Sequence, residues 1–318
     1  MRIRLGKPRA DRAEVPQKKK KRLKYIAFLP SFITLMDGAC GFIAIVFASR
    51  DPELSWNLFF MRRAGMTSFA LAGYMIFLAM IADVLDGRVA RLTRTTSSFG
   101  GQLDSLSDAI SFGVAPAFLM LKLVEFHLTH LELEDLRLSV LLGRGLIFSA
   151  IIYAMCAVVL LARFNVENEE DESAHMNFSG LPSPAAAGVV VSLVVFHQQI
   201  LPGIANEASG VFHIITVSAL PLITLLTGIL MVSRVRYPHV ANQLLRSKKS
   251  LASLLAIFAS GLLLIWNIQL AMAIGFCGFA LFGVMRWIIV GLFKKTPPAA
   301  KKTPALDSQA QPDGKTPS

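Results

Sequence analysis

Long, nearly unbroken apolar runs alternate with short polar or charged stretches along this chain. A hydrocarbon layer about 30 Å thick takes roughly 20 helical residues to cross, and runs of that length recur from residue 29 to residue 292. They predict spans at about 29–48, 67–85, 104–124, 145–162, 181–200, 211–232, 251–266 and 269–292. The expected fold is an all-α, polytopic integral membrane helical bundle with about eight transmembrane helices. It reads as one hydrophobic domain with polar extensions. Composition agrees: 54% of the 318 residues are hydrophobic and 17% charged, and a mean hydropathy of +0.55 excludes an ordinary soluble domain.

Charge orients this bundle. An even number of spans puts both termini on one side, and 25 of the 32 Lys and Arg residues fall on that side, against six on the other. By the positive-inside rule the richer side is cytoplasmic. Residues 1–28 read as a basic cytoplasmic tail: the first 25 carry eleven Lys or Arg against two acids, including the run Lys18–Arg22. Such a patch beside the bilayer attracts anionic headgroups by about 1 kcal/mol per basic residue. No small-residue cleavage site marks it as a signal peptide. Residues 293–318, rich in Lys, Pro and Ala, are expected to be a disordered cytoplasmic tail.

Four carboxylates stand out against this apolar background, from the end of the second span to the start of the third: Asp83, Asp86, Asp104 and Asp108. Asp83 and Asp86 are three apart and Asp104 and Asp108 four apart, so on two helices each pair projects from one face. Two such faces turned together form a cage of oxygens, which suits hard divalent ions such as Mg²⁺, Mn²⁺ or Ca²⁺. Without cations the four charges would repel one another. Gly87 leaves a surface with no side chain where a ligand can approach the backbone, and Ala90 keeps it low. Arg91 and Arg94 bring charge suited to phosphate oxygens. Together these features describe a pyrophosphate site.

The series Asp83, Asp86–Gly87, Ala90–Arg91, Gly100, Asp104, Asp108 resembles the complete signature of the CDP-alcohol phosphotransferase family at every fixed position and interval. Within that family the chain is similar to the phosphatidylserine synthase branch. That similarity is carried by Gly41–Phe42, Phe112–Gly113, Ala115–Pro116, Leu160–Asn165, Phe178–Ala187 and Met231–Pro238, across residues 29 to about 240. Two departures stand in the first span. Ser31 follows Pro30 where the family usually has Asn, and Asp37–Gly38 replaces a more familiar Asn-Leu.

The resemblance implies a catalytic membrane core over 29–240, with 251–292 adding two further transmembrane helices. It implies transfer of the phosphatidyl group from CDP-diacylglycerol to L-serine, giving phosphatidylserine and CMP. Two Mg²⁺ or Mn²⁺ ions would be held by Asp83, Asp86, Asp104 and Asp108, with Asp108 also the base for the attacking hydroxyl. Ser31, Thr34, Gly87, Arg91 and Ser97 would contact CDP-diacylglycerol. Serine would be met by Arg163, suited to a carboxylate, with Asn165 and Ser183 as polar contacts. The partners are then CDP-diacylglycerol, serine, the lipid bilayer and a second copy in a homodimer, with no nucleic acid. The setting is the cell (inner) membrane, with the active site and both termini cytoplasmic.

Two alternatives remain. The first is the same transfer to another alcohol, such as glycerol 3-phosphate, an inositol phosphate or choline, for which Arg163, Arg234 and Arg236 offer cations. The second is a transporter whose acids line an ion path, which would need them near the membrane midplane. His127 and His130 fall in an expected surface loop over 125–143, and His175, His197, His213 and His239 look isolated, so no histidine metal site is expected. Cys40, Cys156 and Cys277 lie in apolar spans as small hydrophobes. Gly261, Gly275, Gly278 and Gly283 read as helix-packing positions.

Overall fold

A computed structural model describes residues 17–50, 66–93, 98–130, 136–170, 180–203, 207–235, 237 and 267–293. All the regular structure among them is helical: α1 (Gln17–Ala48), α2 (Ser68–Thr93), α3 (Ser98–Asp108), a π-helical turn (Ala109–Val114), α4 (Ala115–His130), α5 (Leu136–Glu170), α6 (Ser183–Gln199), a short 3-10 turn (Leu201–Gly203), α7 (Glu207–Val232) and α8 (Ile268–Phe293). Apolar sequence in lipid must satisfy its backbone hydrogen bonds within the protein, and helices satisfy nearly all of theirs internally. Among the described residues, six spans are long and apolar enough to cross a bilayer: Ser31–Ala48, Ser68–Val89, Phe99–Thr129, Val140–Val166, Phe212–Val232 and Ile268–Ile289. The protein is therefore an integral membrane protein. Seven of the eight expected spans coincide with helices; the one at 251–266 lies outside the described residues, as does the tail from 294.

Two boundaries differ from the sequence reading. Helix α1 starts at Gln17, so the basic run Lys18–Arg22 sits on helical backbone continuous with the first span. The surface loop expected over 125–143 is largely helix: α4 runs on to His130 and α5 begins at Leu136. Polar residues there mark the end of a span without interrupting its backbone.

The rod formed by α3, the π turn and α4 is the centre of the bundle. Of its span, 56% is buried, against 17% for α8 at the periphery. It touches α1, α2, α5, α6 and α7, and Phe112, Leu119, Met120 and Leu123 are fully enclosed. The other helices carry an outer belt of exposed large apolar side chains, among them Ile81, Phe148, Leu222 and Leu281, as expected where lipid is the solvent. Helix α1 packs chiefly on α2, α5 on α7, and α8 on α6.

Glycines set the closest approaches, and of those expected on α8 Gly283 is one while Gly275 and Gly278 are not. Added Cβ atoms at Gly275 and Gly278 would meet open space, while one at Gly283 would fall 2.0 Å from the Tyr237 ring; Gly261 lies outside the described residues. The tight contact between α6 and α8 is made by Gly188, 2.3 Å from Phe276 on the same test. Gly180, at φ +106°, is the one position among the described residues where the turn itself demands glycine: a Cβ would come 2.1 Å from the Met231 carbonyl oxygen. Its N–H donates to the Val235 carbonyl (2.8 Å), and that of Leu181 to Leu230 (3.0 Å), stapling the entry of α6 to the end of α7.

Candidate metal and pyrophosphate site

The carboxylates are gathered by two helices and buttressed by a third. Asp83 and Asp86 project from α2, Asp104 and Asp108 from α3. Carboxylate oxygens of Asp83, Asp104 and Asp108 all lie within 4.8 Å of one another. Asp86 joins them from 5% exposure, its Oδ2 accepting a 2.5 Å hydrogen bond from Thr34 Oγ1 on α1. That length is typical of a hydroxyl donating to a charged carboxylate. The acids lie near the end of one span and the start of the next, at one end of the bundle.

A fifth acid belongs to the cluster and was missed as a site residue in the sequence. Asp37, one turn after Thr34 on α1, is 1% exposed and within electrostatic reach of Asp83, Asp86, Asp104 and Asp108. The signal that could have found it was its i, i+3 spacing from Thr34, which puts both on one helical face. Buried polar atoms normally have partners, yet Asp37 Oδ1 and Asp108 Oδ1 have no protein hydrogen bond. Five clustered carboxylates, two with orphaned buried oxygens, form a donor set that fits hard divalent cations.

The π turn follows Asp108 directly and has a local cause. Pro116 has no N–H to offer the carbonyl four residues back, that of Phe112; Tyr153 Oη, from α5, donates to it at 3.0 Å instead. Ser111 Oγ donates to the Asp37 carbonyl at 2.9 Å, tying the turn to α1. A Cβ on Gly41 would come 2.5 Å from Ser111 Oγ and 2.7 Å from its Cα, and one on Gly113 would come 3.2 Å from Ala157 Cβ. The residues Gly41, Phe112–Gly113 and Ala115–Pro116 thus let α1 and α5 press against a widened turn that carries Asp108. Widened turns of this kind often accompany functional sites.

A family model described as CDP-alcohol phosphatidyltransferase matches residues 27–225. The chain belongs to the CDP-alcohol phosphatidyltransferase family. Among its relatives, the CDP-diacylglycerol–serine O-phosphatidyltransferase of Methanocaldococcus jannaschii is 31% identical over 222 residues, covering 70% of this chain and 79% of the relative. The protein of the same name from Helicobacter pylori is 31% identical over 230 residues, 71% and 84% of the two chains. An archaetidylserine synthase of Methanothermobacter thermautotrophicus is 32% identical over 224 residues, 70% and 73%.

The remaining expected residues are distributed as follows in this CDP-alcohol phosphatidyltransferase. Gly87 faces open space, with nothing within 4 Å of an added Cβ. Ser31 is half-buried on α1, while Thr34 is turned to Asp86. Arg91 lies on the helical backbone of α2, its side chain outside the described residues, as is Ser97 altogether. Asn165 reaches the acid-bearing helix: Ser105 Oγ, beside Asp104, donates to Asn165 Oδ1 at 2.9 Å. Arg163 is exposed on α5, two positions from Asn165 and so pointing to another face of the helix. Ser183, 4% exposed, opens α6 next to the Gly180–Leu181 staple.

Proposed function

We propose that this protein transfers the phosphatidyl group of CDP-diacylglycerol to the hydroxyl of L-serine, releasing CMP. The observation that carries the reading is the convergence of carboxylates from α2 and α3 within 4.8 Å, on a chain whose signature spacing and named relatives point to this chemistry. Asp83, Asp86, Asp104 and Asp108 would hold two divalent ions, Mg²⁺ or Mn²⁺. When bound, these ions supply charge neutralisation for the pyrophosphate and the departing CMP.

The chain's own residues do the rest. Thr34 fixes the rotamer of Asp86. Gly87 leaves the surface of α2 bare for the nucleotide, with Arg91, Ser97 and Ser31 the further CDP-diacylglycerol contacts. Asp108 Oδ1, buried without a hydrogen-bond partner, accepts the proton of the serine hydroxyl as its oxygen bonds to the phosphorus bearing diacylglycerol and the bond from that phosphorus to CMP breaks. Asn165 and Ser183 contact serine from one side, and the long side chain of Arg163, leaving another face of α5, brings its guanidinium to the serine carboxylate from the other. Asp37, a carboxylate beyond the four assigned to the ions, takes the serine ammonium. The enzyme works as a homodimer in the cell membrane, its acid end cytoplasmic.

The test is CMP release from CDP-diacylglycerol in the presence of Mn²⁺, with serine, glycerol 3-phosphate and choline in competition. Serine-dependent release is expected. Release driven by another acceptor would replace the serine assignment, and none with any acceptor or divalent ion would overturn the enzymatic reading.

A further inference from the structure

At the other end of the central rod, three histidines that look isolated in the sequence meet. His127 lies on α4, His197 near the end of α6 and His213 on α7. Their ring centroids are 5.0 Å (His127–His197), 4.9 Å (His127–His213) and 4.0 Å (His197–His213) apart, and one ring nitrogen from each falls within 4.8 Å of the other two. His127 is nineteen positions beyond Asp108, a rise of about 28 Å at ~1.5 Å per residue. The cluster is separate from the acidic site.

We propose that His127, His197 and His213 form a transition-metal site, selective for Zn²⁺ over Mg²⁺, that clamps α4, α6 and α7 together. Three neutral imidazoles with a fourth position open to water are a recurrent zinc donor set, whereas Mg²⁺ prefers oxygen ligands. One ring orientation is already fixed as a metal requires, and a second needs only the turnover of one side-chain amide. His127 Nδ1 sits 2.8 Å from the Leu123 carbonyl oxygen; a carbonyl only accepts, so Nδ1 carries the proton and Nε2 keeps its lone pair. His197 is 1% exposed, and its Nε2 has no hydrogen-bond partner.

The Nδ1 of His197 faces the Gln198 amide nitrogen at 3.1 Å, and the amide oxygen accepts from the Thr67 hydroxyl at 2.8 Å; turning the amide over exchanges the two ends. A hydroxyl both donates and accepts, so the amide can present its oxygen to a protonated His197 Nδ1 and keep its bond to Thr67. That leaves Nε2 as a ligand. His127 and His213 also line a largely apolar cavity of about 480 Å³, which Ser149 and Ser218 share.

The experiment uses the full-length chain, purified in detergent on a tag without histidines, stripped with chelator and held in excess Mg²⁺ to occupy oxygen ligands. Titration with Zn²⁺ alone is expected to give one tight equivalent per chain and a higher Tm, and Co²⁺ to give the visible absorption of a four-coordinate site. His213→Gln and His197→Gln should each weaken Zn²⁺ binding by at least about 100-fold, more than the loss of an outer-shell partner costs. Asp104→Asn combined with Asp108→Asn should leave the equivalent intact. If the buried His197→Gln fails to fold, the half-buried His213→Gln carries the comparison. No tight equivalent in the unaltered chain, or one that survives His213→Gln, or one lost with the two Asp replacements, would overturn the proposal.

Discussion

Replacing Thr34 with Val tests how the acid cluster is held. Val keeps the shape of Thr and removes only the hydroxyl that donates to Asp86 Oδ2 at 2.5 Å, in a setting where both residues are 5% exposed. A hydrogen bond to a charged group contributes about 1.5–3 kcal/mol, and about 1.4 kcal/mol is a factor of ten. If that energy positions a metal-binding carboxylate, Thr34→Val should raise the Mn²⁺ concentration needed for half-maximal CMP release by about ten- to hundredfold. Turnover at saturating Mn²⁺ should fall much less, and Thr34→Ser should behave like the unaltered protein. The assay is CMP release across a Mn²⁺ titration at fixed lipid and serine, repeated across lipid concentrations at saturating metal. An unchanged Mn²⁺ midpoint with a raised KM for CDP-diacylglycerol would refute this reasoning and restore Thr34 to the lipid contact that family resemblance implies.

Asp108→Asn should lower serine-dependent CMP release by about 10²–10⁴-fold, the usual range for a general base, without lowering Tm, because it removes one charge from a crowded acid cluster. Asp37→Asn should raise the KM for serine by at least about tenfold, a loss within the range of a hydrogen bond to a charged group, and leave that for CDP-diacylglycerol near its original value; equal increases would remove Asp37 from the serine site. Gly41→Ala should cost about 1–3 kcal/mol by overpacking, read as a lower Tm, since the new methyl collides with backbone at Ser111; Gly278→Ala, which faces open space, is the matched control and should not destabilise. Tyr153→Phe should cost about 0.5–1.5 kcal/mol by leaving the Phe112 carbonyl without the donor that stands in for Pro116, and should reduce turnover through the turn that carries Asp108.

The acid pairs were legible because their geometry is local. A separation of three or four residues on a helix fixes a shared face whatever surrounds it, so the spacing of Asp83 with Asp86 and of Asp104 with Asp108 fixed their faces. The eight-residue signature then supplied the family. Asp37 was visible only as a departure from a familiar pair, because its membership depends on how α1 is rotated against α2 and α3. That rotation is set by where Gly41 lets Ser111 approach and by the bond from Thr34 to Asp86. The histidine cluster was misread for the same reason, and because the end of α4 resembles a polar loop in composition.

The sequence by itself determined that this is a membrane-embedded helical protein with two acid pairs at helical spacing, since hydropathy and helical pitch act within one segment at a time. Only the tertiary structure decided which faces meet: that a fifth carboxylate joins the four, that the turn after Asp108 is widened and braced by Tyr153, and that His127, His197 and His213 converge at the far end. Such contacts depend on the packing of helices distant in sequence, where close approach is governed by the shape of both partners, and no short stretch of sequence encodes both at once.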